Sequence, residues 1–237
     1  PMPVFFPETE TERNDGYCPM AAPFDDGLFF DEKAGVFKLW YHAGWFRGIG
    51  YAESEDGINW KRLNELQPEH KNELVLPLVD GVFRDGAAIW LDRETNREDE
   101  RYKMFVFFRE YAQKKQNYAE LTYEEARYAQ RERGVLYKSA DGIVWHEVCD
   151  TSPCGDNSTF FYNPFRKKWV FSLRTFSTID GSRTRGYFEA DDFFSAHWSK
   201  ENIVFWSRTD SDDMPDPELG YPPQLYKLDA VAYESLM

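Results

Sequence analysis

Residues 83–108 read Phe83-Arg84-Asp85-Gly86, then AAIWLD (87–92), a polar turn, and YKMFVFF (102–108). The stretch is an arginine–aspartate pair, a buried strand, and a second strand made almost wholly of aromatic and branched side chains. Such density between polar turns predicts strands rather than helices.

The same order of parts recurs on both sides. Upstream, FDDGLFFD (24–31) is followed by VFKLWYHAGW (36–45) and GIGYAESEDGINWKRL (48–63). The stretch itself continues into GVLYKSADGIVWHEV (134–148). Both copies place a Ser, an Asp-Gly turn and a Trp at one spacing: Ser54, Asp56, Gly57, Trp60 and Ser139, Asp141, Gly142, Trp145. A third copy reads STFFYNP (158–164), KKWVFSLRTF (167–176) and RGYFEADDFFSAHW (185–198), with Ala190 for the Ser and Phe193 for the Gly. A fourth is expected to open at LDAVAYESLM (228–237). Repeated units of four short strands are the mark of a β-propeller, whose blades bury their faces only by stacking. The expectation is an all-β, five-bladed propeller with three blades and the first strand of a fourth in this chain. An open propeller leaves an unpaired face, so the remaining blades are expected from residues after 237 or from another chain.

Three segments lie outside the repeat. Residues 1–23 are proline-rich and predicted to be irregular. Residues 110–133 are rich in helix formers, lack Gly and Pro, and read as a polar helical or extended insertion at the rim. Residues 207–223 read as a connecting loop.

The 237 residues carry 20 Phe, 14 Tyr and 8 Trp and a formal net charge of −14. Such acidity disfavours nucleic acid and anionic lipid as partners. There is no apolar run of the roughly 18 residues that suggests a membrane helix. No signal peptide is visible, and the chain opens on Pro1. Of Cys18, Cys149 and Cys154, the last two have a spacing open to a local disulfide.

Carboxylates stand at the head of each predicted inner strand: Asp25 and Asp26, Asp85, Asp156, and Asp229. Inner-strand heads of a propeller face a shared axial funnel. Crowded carboxylates split their proton affinities, which is what glycoside hydrolysis uses. Each Asp is equally a turn cap taken alone. Glu234, inside an apolar stretch, is a longer-reaching candidate acid or simply the acidic end of an inner strand. Arg84, Arg109, Arg174, Arg183 and Arg185 lie near the same heads and suit a carboxylate, a sugar hydroxyl or a sugar carboxylate. Trp45 suits stacking on a sugar or core packing, and His42 is a candidate donor or acid/base. Converging carboxylates would also suit an axial Ca²⁺; no other cofactor is implied.

These residues resemble the five-bladed propellers of glycoside hydrolase families 32, 43 and 68, over roughly residues 24–237. The resemblance implies a nucleophile or base at Asp26 and a stabilising Asp85 preceded by Arg84, with Gly86 where the family 32 pattern has Pro. The acid, a Glu of the third blade in those families, is matched here by Asp156, with Glu234 the nearest Glu in a comparable setting. Asp229 would line the substrate site with Arg84, Arg174, His42 and Trp45. The implied activity is hydrolysis of a poly- or oligosaccharide in the periplasm or outside the cell. Retention would need about 5 Å between the carboxyls and inversion about 6.5–9.5 Å. The Ser-Asp-Gly-Trp element also looks like a shortened sialidase Asp-box, without a motif for that enzyme's arginine triad. A carbohydrate-binding propeller without catalysis and a purely structural propeller are the other readings.

Overall fold

The structure is a computed structural model that describes residues 3–70 and 73–237, the side chains of 24–26 excepted. It is all-β and antiparallel, with three sheets and a few helical turns. The first sheet runs β1 (Ala21–Asp31), β2 (Val36–Ala43), β3 (Gly48–Ser54), β4 (Lys61–Arg62), with β5 (Leu74–Leu76) added beside β3. The second runs β6 (Val82–Leu91), β7 (Tyr102–Glu110), β8 (Arg131–Ser139), β9 (His146–Asp150). The third runs β10 (Thr159–Asn163), β11 (Lys168–Phe176), β12 (Arg183–Ala190), β13 (Val204–Ser207). Each thus contains a four-strand meander in the order read from the repeat, the first sheet carrying β5 in addition.

The second sheet is buried on both faces. In β7 the period of two sends Met104, Val106 and Phe108 to one side and Phe105 and Phe107 to the other. The first set joins Trp40, Ile49 and Tyr51 of the first sheet. The second set joins Phe160, Trp169, Phe171 and Trp198 of the third. A strand covered on both sides needs an unbroken apolar run, which is why YKMFVFF does not alternate.

Polar contacts align the stack. Asp31, fully buried, accepts from Arg101 at 2.6 and 3.0 Å and from the Tyr102 hydroxyl at 2.6 Å. Lys38 Nζ lies 3.5 Å away. Burial alone would raise the Asp31 carboxyl, but Arg101, Tyr102 and Lys38 hold it well below the usual carboxylate range.

The two Ser-Asp-Gly-Trp turns fold alike. Ser54 Oγ donates to Asp56 at 3.0 Å and Ser139 Oγ to Asp141 at 3.0 Å. Each Asp accepts the two backbone N–H groups that follow the Gly, and each Trp indole donates to the Gly carbonyl. The second turn does more. Gly142 O accepts from the Trp40 indole at 2.7 Å, and Asp141 O accepts from Lys38 at 3.0 Å. This turn therefore latches the second sheet onto the first.

The outer face of the first sheet is covered by the N-terminal segment, which is less irregular than expected. Thr9 and Glu12 form a capping box around the turn Glu10–Arg13. Buried Glu12 accepts from the Tyr41 hydroxyl at 2.7 Å and from Arg62 at 2.8 Å, while Arg62 lies over the Phe5 ring. The stretch between β7 and β8 is also partly folded. Asn117 donates to Asn14 at 2.8 Å, Tyr118 packs on Phe46 and Phe83, and Tyr123–Arg127 is one exposed helical turn.

The expected inner strand at 228–237 does not form. That stretch has only an isolated bridge between Tyr233 and Leu236 and lies as a strap, with Leu228 O accepting from Thr159 Oγ1 at 3.2 Å. Cys149 and Cys154 are free thiols rather than a disulfide. Among the described residues no helix is long and apolar enough to cross a membrane.

The paired turns allow a matched test. Gly57 and Gly142 both have φ near the left-handed region, at 72° and 84°. A Cβ at Gly57 would only touch Phe37, whereas one at Gly142 would overlap the Trp40 ring. Gly57→Ala should cost about 1–2 kcal/mol from backbone strain. Gly142→Ala should cost about 1–3 kcal/mol more from overpacking. Urea unfolding of the two variants measures the difference, and equal losses would remove the latch. Asp31→Ala should cost about 3–5 kcal/mol, because it strands half-buried Arg101 and buried Lys38. With its carboxyl depressed in the fold, the Asp31 contribution is present above its unfolded value near 3.8 and lost as pH falls below it. The gap between wild type and variant in thermal melts should therefore narrow at the acid end.

Candidate functional site

The Arg84-Asp85 pair lies inside β6, not ahead of it. Arg84 pairs with Phe108 and Gly86 with Phe107, so Asp85 is an extra residue with no partner on β7. This is a β-bulge, which re-aims side chains and bends the strand. β1 has its own irregularity at the matching place, between Ala22 and Gly27. Asp25 and Asp26 fall within it, and their side chains lie outside the described residues.

The bulge separates the two members of the pair. Arg84 is 2% exposed and lines a cavity of about 380 Å³ between the first and second sheets, with Phe108, Arg133, Tyr137 and Trp145. Burial pushes its guanidinium down to about 9, against the pull of Asp85. Arg84 is thus buried at the wall of that cavity. Asp85 turns instead to Arg109, at the end of β7.

Arg109 joins the second and third sheets. Its Nε donates to Asp85 Oδ2 at 2.5 Å and its Nη2 to Asp156 Oδ2 at 2.9 Å. Nη1 is 3.6 Å from Glu132. The other oxygen of Asp156 pairs with Arg174 Nη1 at 2.5 Å. Asp85, Arg109, Asp156 and Arg174 therefore form one alternating chain of charge. Asp156 sits in the turn before β10, where Gly155 lacks the Cβ that would overlap the Arg174 guanidinium.

Burial pushes the Asp85 carboxyl up, and Asp156 adds to this; Arg109 opposes both, leaving it at about 6. Burial works against the Arg109 cation too, but Asp85, Glu132 and Asp156 outweigh it and raise its proton affinity. The two partners pull opposite ways on one ion pair. The Asp85 carboxyl is raised because its side chain, only 11% exposed, is desolvated.

The other expected residues are more scattered. His42 is buried, accepts the Phe46 N–H at Nε2 (3.2 Å) and stacks on Trp45. Burial lowers its imidazole to about 4, so it serves as a neutral bracket for the turn rather than as an acid or base. Trp45 abuts Phe46, whose ring contacts continue through Tyr118 to Phe83 at the head of β6. Asp229 is half exposed and paired with Lys227 at 2.8 Å. Glu234 is exposed at a left-handed φ of 52° in the terminal turn. It is neither in an inner strand nor in contact with the Asp85–Arg174 chain.

Two residues of the site were not expected in their roles. Arg109 is the bridge rather than a basic neighbour. Arg185, fully buried, donates to Asn157 O at 2.8 Å and to Tyr226 O, bracing the turn that carries Asp156. The signal for Arg109 was in the repeat: with Gly27 opposite Trp40 and Gly86 opposite Phe107, His42 and Arg109 hold equivalent positions.

Among the described residues no three His, Cys, Asp or Glu side chains converge to hold a metal ion. The oxygens of Asp85 and Asp156 face guanidinium donors, which does not fit the oxygen cage of a Ca²⁺.

No family model and no curated protein matches this chain. Solved structures do resemble it. A fructofuranosidase of Schwanniomyces occidentalis is similar at 14% identity and a TM-score of 0.48, covering 73% of this chain and 32% of its own. A family 117 glycoside hydrolase of Zobellia galactanivorans is similar at 11% and 0.49, covering 85% and 59%. A family 32 β-fructofuranosidase of Bombyx mori is similar at 13% and 0.44, covering 77% and 37%. The chain thus spans less than two thirds of each of these structures.

The raised carboxyl has a measurable consequence. The fold holds the Asp85 proton more tightly than the unfolded chain does, so this group lowers stability as pH climbs from about 4 through about 6. Asp85→Asn removes the titration. Its melting temperature relative to wild type should rise over that window, by the equivalent of up to about 3 kcal/mol. A pH-independent difference would show that Asp85 titrates normally.

Proposed function

We propose that the three stacked meanders are successive blades of a five-bladed β-propeller, and that the protein is a glycoside hydrolase acting on a poly- or oligosaccharide. The observation that carries the reading is Asp85. It is bulged out of an inner strand, desolvated, and linked through Arg109 to a second carboxylate, Asp156. Two carboxylates at one place, one of them desolvated, are an arrangement that glycosidic cleavage uses.

The geometry favours roles different from those the resemblance implies. Asp156 lies between two guanidiniums, 2.9 Å from Arg109 and 2.5 Å from Arg174. It is better suited to supply fixed negative charge beside an oxocarbenium-like transition state. Asp85, raised to about 6, is the better proton donor. Asp26 remains the proposed nucleophile or base, in the irregular part of β1. Glu234 is not proposed for the acid. An enzyme of this kind would work in the periplasm or outside the cell.

The second reading is a carbohydrate-binding propeller without catalysis. It is favoured by the same Arg109, which ties up Asp85 and Asp156 together.

Hydrolysis of a glycan panel by the full-length protein and its Asp85→Asn variant separates the two. The substitution should lower kcat about 10²–10⁴-fold, the usual contribution of a general acid. Wild-type turnover should decline as pH rises through about 6, as the donor loses its proton. Turnover unchanged by the substitution would remove Asp85 from the chemistry; glycan binding with no turnover in either protein would establish the binding module.

A further inference from the structure

The hairpin of β11 and β12 brings two further guanidiniums to the edge of this site. In its register Arg174 faces Arg185 and Phe176 faces Arg183. Arg185 is enclosed and turns Nη1 and Nη2 to backbone carbonyls. Arg174 and Arg183 are not enclosed. Arg174 commits Nη1 to Asp156 and lies 5.2 Å from the centre of the Phe176 ring. Arg183 lies 5.2 Å from the centre of the Tyr226 ring, and among the described residues no carboxylate forms an ion pair with it. Both rings are open to solvent, Phe176 at 57% and Tyr226 at 47%.

The acidic groups around this edge are already engaged. Asp156 is held by two arginines, Asp229 pairs with Lys227, and Asp180 accepts from Ser182. What the edge still offers is cationic N–H donors beside aromatic faces. Arg62, Arg101, Arg133 and Arg166 of this acidic chain are matched by carboxylates, whereas Arg47 and Arg93 donate to backbone carbonyls. A planar guanidinium fork next to a ring suits a ligand that carries an anionic group on a body with an apolar face.

We infer that this edge recognises an anionic sugar, with Arg183 and Arg174 meeting a carboxylate or a sulfate ester and Phe176 or Tyr226 meeting the sugar ring. The inference rests on the carbohydrate reading above and names its substrate class.

The test uses the full-length protein and three oligosaccharides of equal length: an oligogalacturonate, a 6-sulfated galacto-oligosaccharide and the neutral galacto-oligosaccharide. Titration calorimetry at low and moderate salt gives affinities, and hydrolysis is followed in the same samples. At least one anionic probe should bind about ten-fold or more tighter than the neutral one, with affinity falling as salt rises. Which anionic probe binds distinguishes carboxylate from sulfate. Arg183→Gln should weaken the anionic probe about ten-fold and leave the neutral one unchanged. Arg174→Lys provides a second variant, and an unchanged melting curve confirms folding in each. Equal affinity for the neutral probe, no effect of either variant, or no binding of any probe overturns the inference. Anionic binding without cleavage sinks the hydrolase reading and leaves this one standing. Cleavage of the neutral probe with no preference for charge does the reverse.

Discussion

The second sheet has to bury both of its faces, and the architecture follows from that requirement. Its central strand sends Met104, Val106 and Phe108 one way and Phe105 and Phe107 the other. No solvent-facing side remains for polar residues, so the strand loses its alternation and needs a sheet on either flank. The first and third sheets meet that need and acquire outer faces of their own. Residues of the N-terminal segment cover one, through Phe5, Glu12 and Arg62. The terminal strap runs along the head of the third sheet, through Tyr226 and Leu228.

The candidate site is a local departure from the same regularity. A single extra residue in β6 takes Asp85 out of the ladder, and the carboxyl is then held in a place where burial resists its charge. Arg109 compensates in part and links the heads of two sheets. A fold optimised for stability alone would place a neutral group there. The buried carboxyl at this place is therefore not accounted for by stability alone.

Much of the fold was legible in the sequence because the repeat is written in residues whose roles are physically narrow. The Asp-Gly turns demand left-handed backbone, and the indoles of Trp60 and Trp145 close those turns in the same way. Arg84-Asp85 was legible as a special pair, though it was expected ahead of the strand and lies inside it. The separation of its members was not, because a bulge is a property of pairing between strands and leaves no mark in either one alone. His42 and Trp45 had the right residue types for a sugar site, yet burial turns them toward each other. Glu234 failed for a different reason: the apolar pattern around it resembles a strand, but no neighbouring strand is there to pair with it.

The latch between Gly142 and Trp40 joins residues about a hundred positions apart, and the Asp31–Arg101 contact joins residues about seventy apart. Neither can form until both sheets have assembled their own hairpins. Loop-closure entropy is therefore spent before these contacts return anything, which is the condition for slow, late docking in folding. During that interval the aromatic faces of the nascent sheets are exposed together, making the order of assembly, rather than final stability, the point at which this chain is most vulnerable to aggregation.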